Sequence, residues 1–240
     1  MSPECSIIKE IDVSLGLYFI KQKTMNALII GATGATGKEL VQQLLEHPAY
    51  SSITIFVRKN TFKVHPKLTV HCIDFSKPEK WQQWVVGDVL FSALGTTLKK
   101  AGSKKNQWTI DFDYQYTFAR IAKENKVPKY VLVSASRANE NSIFFYSKMK
   151  GKLEKAVEQL KFEQCIIVRP PLLVRPNSDR KGENLAVYVL QFINRIGLLQ
   201  KQKPLPTYRL AQAMLTVAQK KWPAVHVIEA HEIEAILREV

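Results

Sequence analysis

The sequence predicts an α/β fold: a doubly wound parallel sheet in a single domain, with a small C-terminal elaboration. Three observations lead there. A short apolar run, Asn26 to Ile30, feeds three glycines at three-residue spacing, Gly31, Gly34 and Gly37, and an amphipathic helical pattern follows at once. Further apolar runs rich in β-branched residues alternate with segments of helical period. Finally, 240 residues suffice to bury the full core of one large α/β domain. Strands alternating with helices argue for a parallel sheet covered on both faces, with right-handed crossovers.

In chain order, residues 1–24 have no clear periodicity and are expected to be an extension outside the core, with the domain spanning 25–240. Met25 directly precedes the first strand, so translation starting there is an open expectation. The glycine turn and its helix come next, followed by a strand over 52–58, a strand over 67–74 and a short helix over 77–86. A strand over 88–93 leads to a lysine-rich polar loop over 94–106 and a helix over 108–125. A strand over 129–134, a helix over 144–160 and a strand over 164–169 follow, the last ended by Pro170 and Pro171. Helices over 183–199 and 208–220, a short strand over 225–228 and a helix from 231 complete the chain.

Composition narrows the function classes. The formal net charge of +14 is high, but Lys and Arg are scattered, and no basic helix carries interleaved aromatics. That argues against a nucleic-acid partner and for a basic surface that attracts anionic ligands. No apolar run is long enough to span a bilayer, so no membrane partner is expected. Cys5, Cys72 and Cys165 show neither metal spacing nor a disulfide framework. Cys72 and Cys165 lie in apolar strand-like runs, so both are expected to be small buried hydrophobes in a reducing cytoplasm.

The glycine turn reads as a buried strand, a tight turn and a helix start. Glycine lets the backbone turn and approach a ligand, and the helix start offers free N–H groups and a positive dipole end to an anion. A dinucleotide pyrophosphate is the natural ligand. The second strand ends Phe56-Val57-Arg58-Lys59-Asn60 without a carboxylate for the adenosine ribose, whereas Arg58 would attract a 2′-phosphate. NADP(H) is therefore expected over NAD(H). Asp74, ending the third strand, is placed to receive the adenine amino group or is a plain strand-end aspartate.

Of the tyrosines, only Tyr146 has a lysine four residues on, Lys150. On a helix the pair shares a face, and a nearby ammonium is expected to lower the phenol pKa, making a usable proton donor and acceptor. The fifth strand runs out at Ser134-Ala135-Ser136, on the same carboxyl edge, where a serine could hydrogen-bond a substrate oxygen.

Together the Gly31-x-x-Gly34-x-x-Gly37 turn, a strand-end serine and Tyr146-x-x-x-Lys150 resemble the short-chain dehydrogenase/reductases, in their extended and atypical members. Several blocks are similar, more narrowly, to the atypical branch that includes the HIV Tat-interactive oxidoreductase-like proteins. They are Phe91 to Thr97, Tyr130 to Ser134, Phe145 to Glu154, Arg169-Pro170 and Pro206 to Met214. The likeness covers about residues 25 to 235. It implies a Rossmann fold with the C-terminal elaboration on the substrate side. It also implies an NADP(H)-dependent oxidoreductase acting on an unidentified carbonyl or alcohol. The catalytic candidates are Ser134 (favoured over Ser136 by its distance from Tyr146), Tyr146 as general acid, and Lys150, which also holds the nicotinamide ribose. The cofactor-binding candidates are Gly31, Thr33, Gly34, Ala35, Thr36, Gly37, Arg58, Asp74, Leu94, Gly95 and Lys150. The rival reading is a dinucleotide-binding regulatory or interaction protein without chemistry. A protein partner and the oligomeric state stay open.

Overall fold

The computed structural model describes residues 24–174 and 204–238. Seven strands form one parallel sheet in the order β3-β2-β1-β4-β5-β6-β9. They are β1 (Met25–Ile30), β2 (Tyr50–Val57), β3 (Leu68–Cys72), β4 (Val89–Ser92), β5 (Lys129–Val133), β6 (Gln164–Val168) and β9 (Val225–Ile228). The order reverses between β1 and β4, so the crevice for a ligand opens beyond the carboxyl ends of these two strands. Their register pairs Ile30 with Ser92, which brings both strands to an end side by side.

Period-two alternation builds two cores from one sheet. Ala27 and Ile29 of β1 face a layer completed by Leu40 and Leu44 of α1 (Ala35–Glu46) and by Leu210, Met214 and Val217 of α6 (Thr207–Gln219). Leu28 and Ile30 face the other layer, with Phe118 and Ile121 of α4 (Tyr114–Glu124) and Leu153 and Val157 of α5 (Phe145–Glu158). Burying such side chains contributes about 1.5–3 kcal/mol each before chain entropy is set against it.

Several expectations are corrected. The segment 77–86 forms two 3₁₀ turns, Pro78–Lys80 and Gln82–Trp84, rather than an α-helix. The proline at its start, and Trp81 with its ring N–H bonded to the Asp74 carbonyl at 2.8 Å, fold it as a short pinned crossover. The lysine-rich loop contains α2 (Leu98–Ala101) and α3 (Lys104–Trp108), because Thr97 and Ser103 cap them, accepting from Lys100 N and Asn106 N at 3.3 and 3.1 Å. The helix expected over 108–125 is interrupted by a π turn at Thr109–Asp113 before α4 begins. Cys72 is exposed because β3 is an edge strand, while Cys165 is buried as expected. A two-stranded parallel sheet, β7 (Leu173–Val174) with β8 (Leu205–Pro206), was not anticipated. The terminal helix, α7, is Ile233–Arg238. The helix expected over 183–199, the extension over 1–23 and Cys5 lie outside the described residues.

Candidate functional site

At the reversal point, the turn after β1 packs against the chain leaving β4. Gly31 has φ +81°, and a Cβ there would stand 2.3 Å from the Ala93 carbonyl carbon and the Leu94 nitrogen. A Cβ on Gly37 would stand 2.1 Å from the Gly31 oxygen. Both glycines exist to let backbone meet backbone. The turn closes with Gly34 N donating to Gly31 O at 2.9 Å, and Lys38 N donating to Gly34 O at 2.9 Å begins the helix. The helix α1 has no side-chain cap and no acidic residue in its first turn, so its N-terminal dipole is left to a ligand.

A cavity of about 220 Å³ opens there. The predicted residues Gly34, Ala35, Thr36, Leu94, Gly95, Ser134, Tyr146 and Lys150 all line it. Gly31 and Gly37 lie behind the lining as space-makers, and Thr33 is exposed on the turn. Ser136 is not among the lining residues, and its backbone N–H donates to the Pro170 carbonyl at 3.1 Å. Arg58 and Asp74 are exposed beyond the ends of β2 and β3, outside the lining. Asp74 Oδ1 accepts from Ser76 N and Oγ at 2.9 and 2.6 Å, and these bonds hold its carboxyl below the usual carboxylate value.

Three buried charges organise the far side. Lys150, 3% exposed, donates from Nζ to the Val133 carbonyl at 3.2 Å. Burial lowers its pKa, opposed by the carboxylates of Asp111 and Glu154. Asp111 sits on the π turn, fully buried, with Oδ1 accepting from Thr96 N at 2.7 Å and Oδ2 without a partner among the described residues. Burial raises its pKa, against the pull of Lys150, the Thr96 amide and Gln107. Gln115 Nε2 donates to the Asp111 carbonyl at 2.7 Å, and Ser92 Oγ donates to Gln115 Oε1 at 2.7 Å, so the π turn is tied to β4.

Glu154, one turn beyond Lys150, is the third. Its Oε1 accepts from Ser134 Oγ at 2.5 Å and from Arg169 Nε at 3.0 Å, while Oε2 accepts from Arg169 Nη2 at 2.6 Å. Arg169 also donates from Nη1 to Glu229 Oε1 at 2.7 Å. A carboxylate in an arginine fork only accepts, so the single proton of Ser134 is committed to Glu154. Toward the cavity the serine offers lone pairs.

The tyrosine differs from expectation. Tyr146 is 43% exposed and one turn from Lys150 on α5, yet its pKa is pushed up to about 12, first by desolvation and then by the Asp111 charge. No lowering by Lys150 accompanies these two effects; that ammonium donates to Val133 O and has the Asp111 and Glu154 carboxylates near it.

Sequence reasoning missed Asp111, Glu154, Arg169 and Thr207. The Thr207 hydroxyl is buried on the cavity wall at the start of α6. Arg169 and Glu154 left a signal, a charge ending an apolar strand and a carboxylate on the helical face of Lys150. Thr207 left none, since its place depends on β8 meeting β7.

The charged residues lining the cavity are Lys100 and Lys150, with no carboxylate among the described lining residues. That donor set fits an anionic dinucleotide. Among the described residues, no group of three or more His, Cys, Asp or Glu could hold a metal, and no helix is long and apolar enough to cross a membrane.

Comparisons with known proteins agree with the geometry. The family model described as NAD(P)H-binding matches residues 31–189. "Protein FMP52, mitochondrial" of Candida albicans is 34% identical over 203 residues, covering 82% of this chain and 89% of that protein. The protein of the same name from Saccharomyces cerevisiae is 38% identical over 165 residues, covering 66% and 71%. Among solved structures, UDP-glucose 4-epimerase of Thermotoga maritima superposes with a TM-score of 0.65 at 14% identity, over 85% of this chain and 76% of that one. WbmG of Bordetella bronchiseptica, in complex with NAD, superposes with a TM-score of 0.66 at 12% identity, over 92% and 80%. These likenesses show the Rossmann-type α/β fold. The cytoplasmic expectation is overturned, because relatives across several fungi carry "mitochondrial" in their names. A reducing interior read from three cysteines does not distinguish one reducing compartment from another.

Proposed function

The chain belongs to the NAD(P)H-binding family, and from that premise we propose that it is an NADP(H)-dependent oxidoreductase of the short-chain dehydrogenase/reductase type. Its substrate would be a small carbonyl compound or the matching alcohol, and its setting mitochondrial, as the relatives' names indicate. The narrower likeness to the HIV Tat-interactive oxidoreductase-like branch belongs with this reading. One observation carries it: the start of α1, Ser134, Tyr146 and Lys150 line a single cavity at the point where the strand order reverses. Preference for NADP(H) rests on Arg58 at the end of β2, with Lys59 beside it and no carboxylate there.

When bound, the dinucleotide supplies hydride exchange at nicotinamide C4. The residues of this chain do the rest. The first turn of α1 holds the pyrophosphate through backbone N–H groups, and Leu94 and Gly95 wall the cavity beside it. Lys150 holds the ribose and fixes the cofactor's position from a site anchored to Val133. Tyr146 gives its phenolic proton to the carbonyl oxygen, and takes one back when the alcohol is oxidised. Ser134, its own proton held by Glu154, presents only lone pairs to the cavity, so the single proton of the reacting hydroxyl is left to Tyr146.

A second reading, an NADP(H)-binding regulatory protein with little or no catalysis, is favoured by one observation. With the Tyr146 pKa near 12 and the Ser134 proton committed, neither group is primed as sequence reasoning expects. Turnover of NADPH with a panel of aldehydes and ketones separates the two. The enzyme reading expects consumption that Tyr146→Phe abolishes while NADPH affinity changes less than about twofold, a difference under roughly 0.4 kcal/mol. Consumption unchanged in Tyr146→Phe would refute the assigned acid.

A further inference from the structure

The cavity lined by the glycine turn also carries a group that the turn does not explain. Thr207 is the first residue of the 13-residue helix α6, is 1% exposed, and lines the same cavity as Gly34, Ala35 and Thr36. Its Oγ1 is buried and has no hydrogen-bond partner among the described residues. A buried hydroxyl left in that state is a cost to folding unless a ligand relieves it. The residue before it, Pro206, supplies no side-chain cap, and the first turn of α6 holds no acidic residue. The positive end of its dipole is thus uncompensated. Since α1 and α6 pack on each other, the two helix starts share one cavity whose charged lining residues are Lys100 and Lys150.

We propose that Thr207 and the start of α6 form a second phosphate cradle, in the same cavity as the one at the start of α1. The two would hold a phosphate-bearing ligand together, Thr207 donating its hydroxyl proton to a phosphate oxygen and Lys100 supplying charge. The inference rests on the cofactor reading above for its main ligand, the dinucleotide's pyrophosphate. A phosphate carried by the substrate has the same chemistry and is the other source.

Thr207→Val keeps the side-chain shape and removes the hydroxyl. NADPH binding, followed by its fluorescence, is expected to weaken about tenfold in Thr207→Val, the loss of one charge-assisted hydrogen bond. Thr207→Ser should bind as the wild type does. Adenosine 2′-monophosphate, which has no pyrophosphate, should bind both variants as it binds the wild type. The melting temperature of ligand-free Thr207→Val should equal or exceed that of the wild type, because an unpartnered polar atom is gone; a structural hydroxyl would instead lower it. Thr207→Ala replaces the valine variant should the latter fail to fold. In a second arm, inorganic phosphate is titrated into the NADPH complex. Weakening confined to this arm assigns the cradle to a substrate phosphate. Unchanged binding in both arms overturns the cradle, as does equal weakening of adenosine 2′-monophosphate. A wild-type chain that binds no NADPH overturns the cofactor reading instead, and inorganic pyrophosphate then tests the cradle directly, through the same Thr207→Val comparison.

Discussion

Replacing Arg169 with methionine tests how Ser134 is held. The side chain of Glu154 is 5% exposed and its two oxygens take bonds of 3.0 and 2.6 Å from Arg169. Without the guanidinium, Ser134 is the one hydrogen-bond donor left to the carboxylate among the described residues. Breaking a buried pair on one side costs about 3–5 kcal/mol, because an uncompensated charge stays behind. Arg169 is itself 23% exposed and solvent will enter its place, so the lower end, about 3 kcal/mol, is expected. For a chain of this size that corresponds to a fall in Tm of roughly 6–12 °C. Urea unfolding followed by circular dichroism measures it. Glu154→Gln/Arg169→Met should recover more than half of the loss, since a neutral amide can stay bonded to Ser134 without a counter-charge. A loss below about 1 kcal/mol in Arg169→Met, or no recovery in the double variant, would refute the buried-clamp account.

Two further outcomes are expected. Burial raises the Asp111 pKa in the folded chain above its ordinary value of 3.8, so the stability linked to its neutral form is full below that value and is lost as pH rises through the raised one. The Tm of Asp111→Asn minus that of the wild type should therefore be more positive at pH 7.5 than at pH 4, read by thermal melts; a flat difference would place the ionised carboxyl at no disadvantage. Arg58→Asp should weaken NADPH roughly tenfold or more while leaving NADH within about twofold, by the loss of a phosphate partner. Equal effects on both cofactors would return Arg58 to the solvated surface.

How far the molecule was legible depends on whether a feature is local. The turn at Gly31, Gly34 and Gly37 was readable because strand, turn and helix start are contiguous, and the doubly wound parallel sheet followed from alternation and handedness, though the strand order itself comes from the structure. The caps at Thr97 and Ser103 were also written locally, three residues before the amides they accept from, and marked helices in a stretch read as loop. The pair Tyr146 and Lys150 was found by spacing, but its electrostatics was not. Spacing brings the lysine near; only the tertiary fold shows that Val133, Asp111 and Glu154 surround the ammonium. Asp111 faces inward through a π turn that shifts the helical register by a residue, which no periodicity of 3.6 anticipates. Thr207 depends on a two-residue strand pairing across the segment 175–203, and a pairing that short has no pattern in the chain.

Direct binding tests most plainly whether the cavity is a dinucleotide site. Titrating the full chain with NADPH and with NADH, monitored by nicotinamide fluorescence, should give saturable binding of both and a Kd for NADPH about tenfold or more lower, a preference of roughly 1.4 kcal/mol. Saturation by neither cofactor would contradict the site itself.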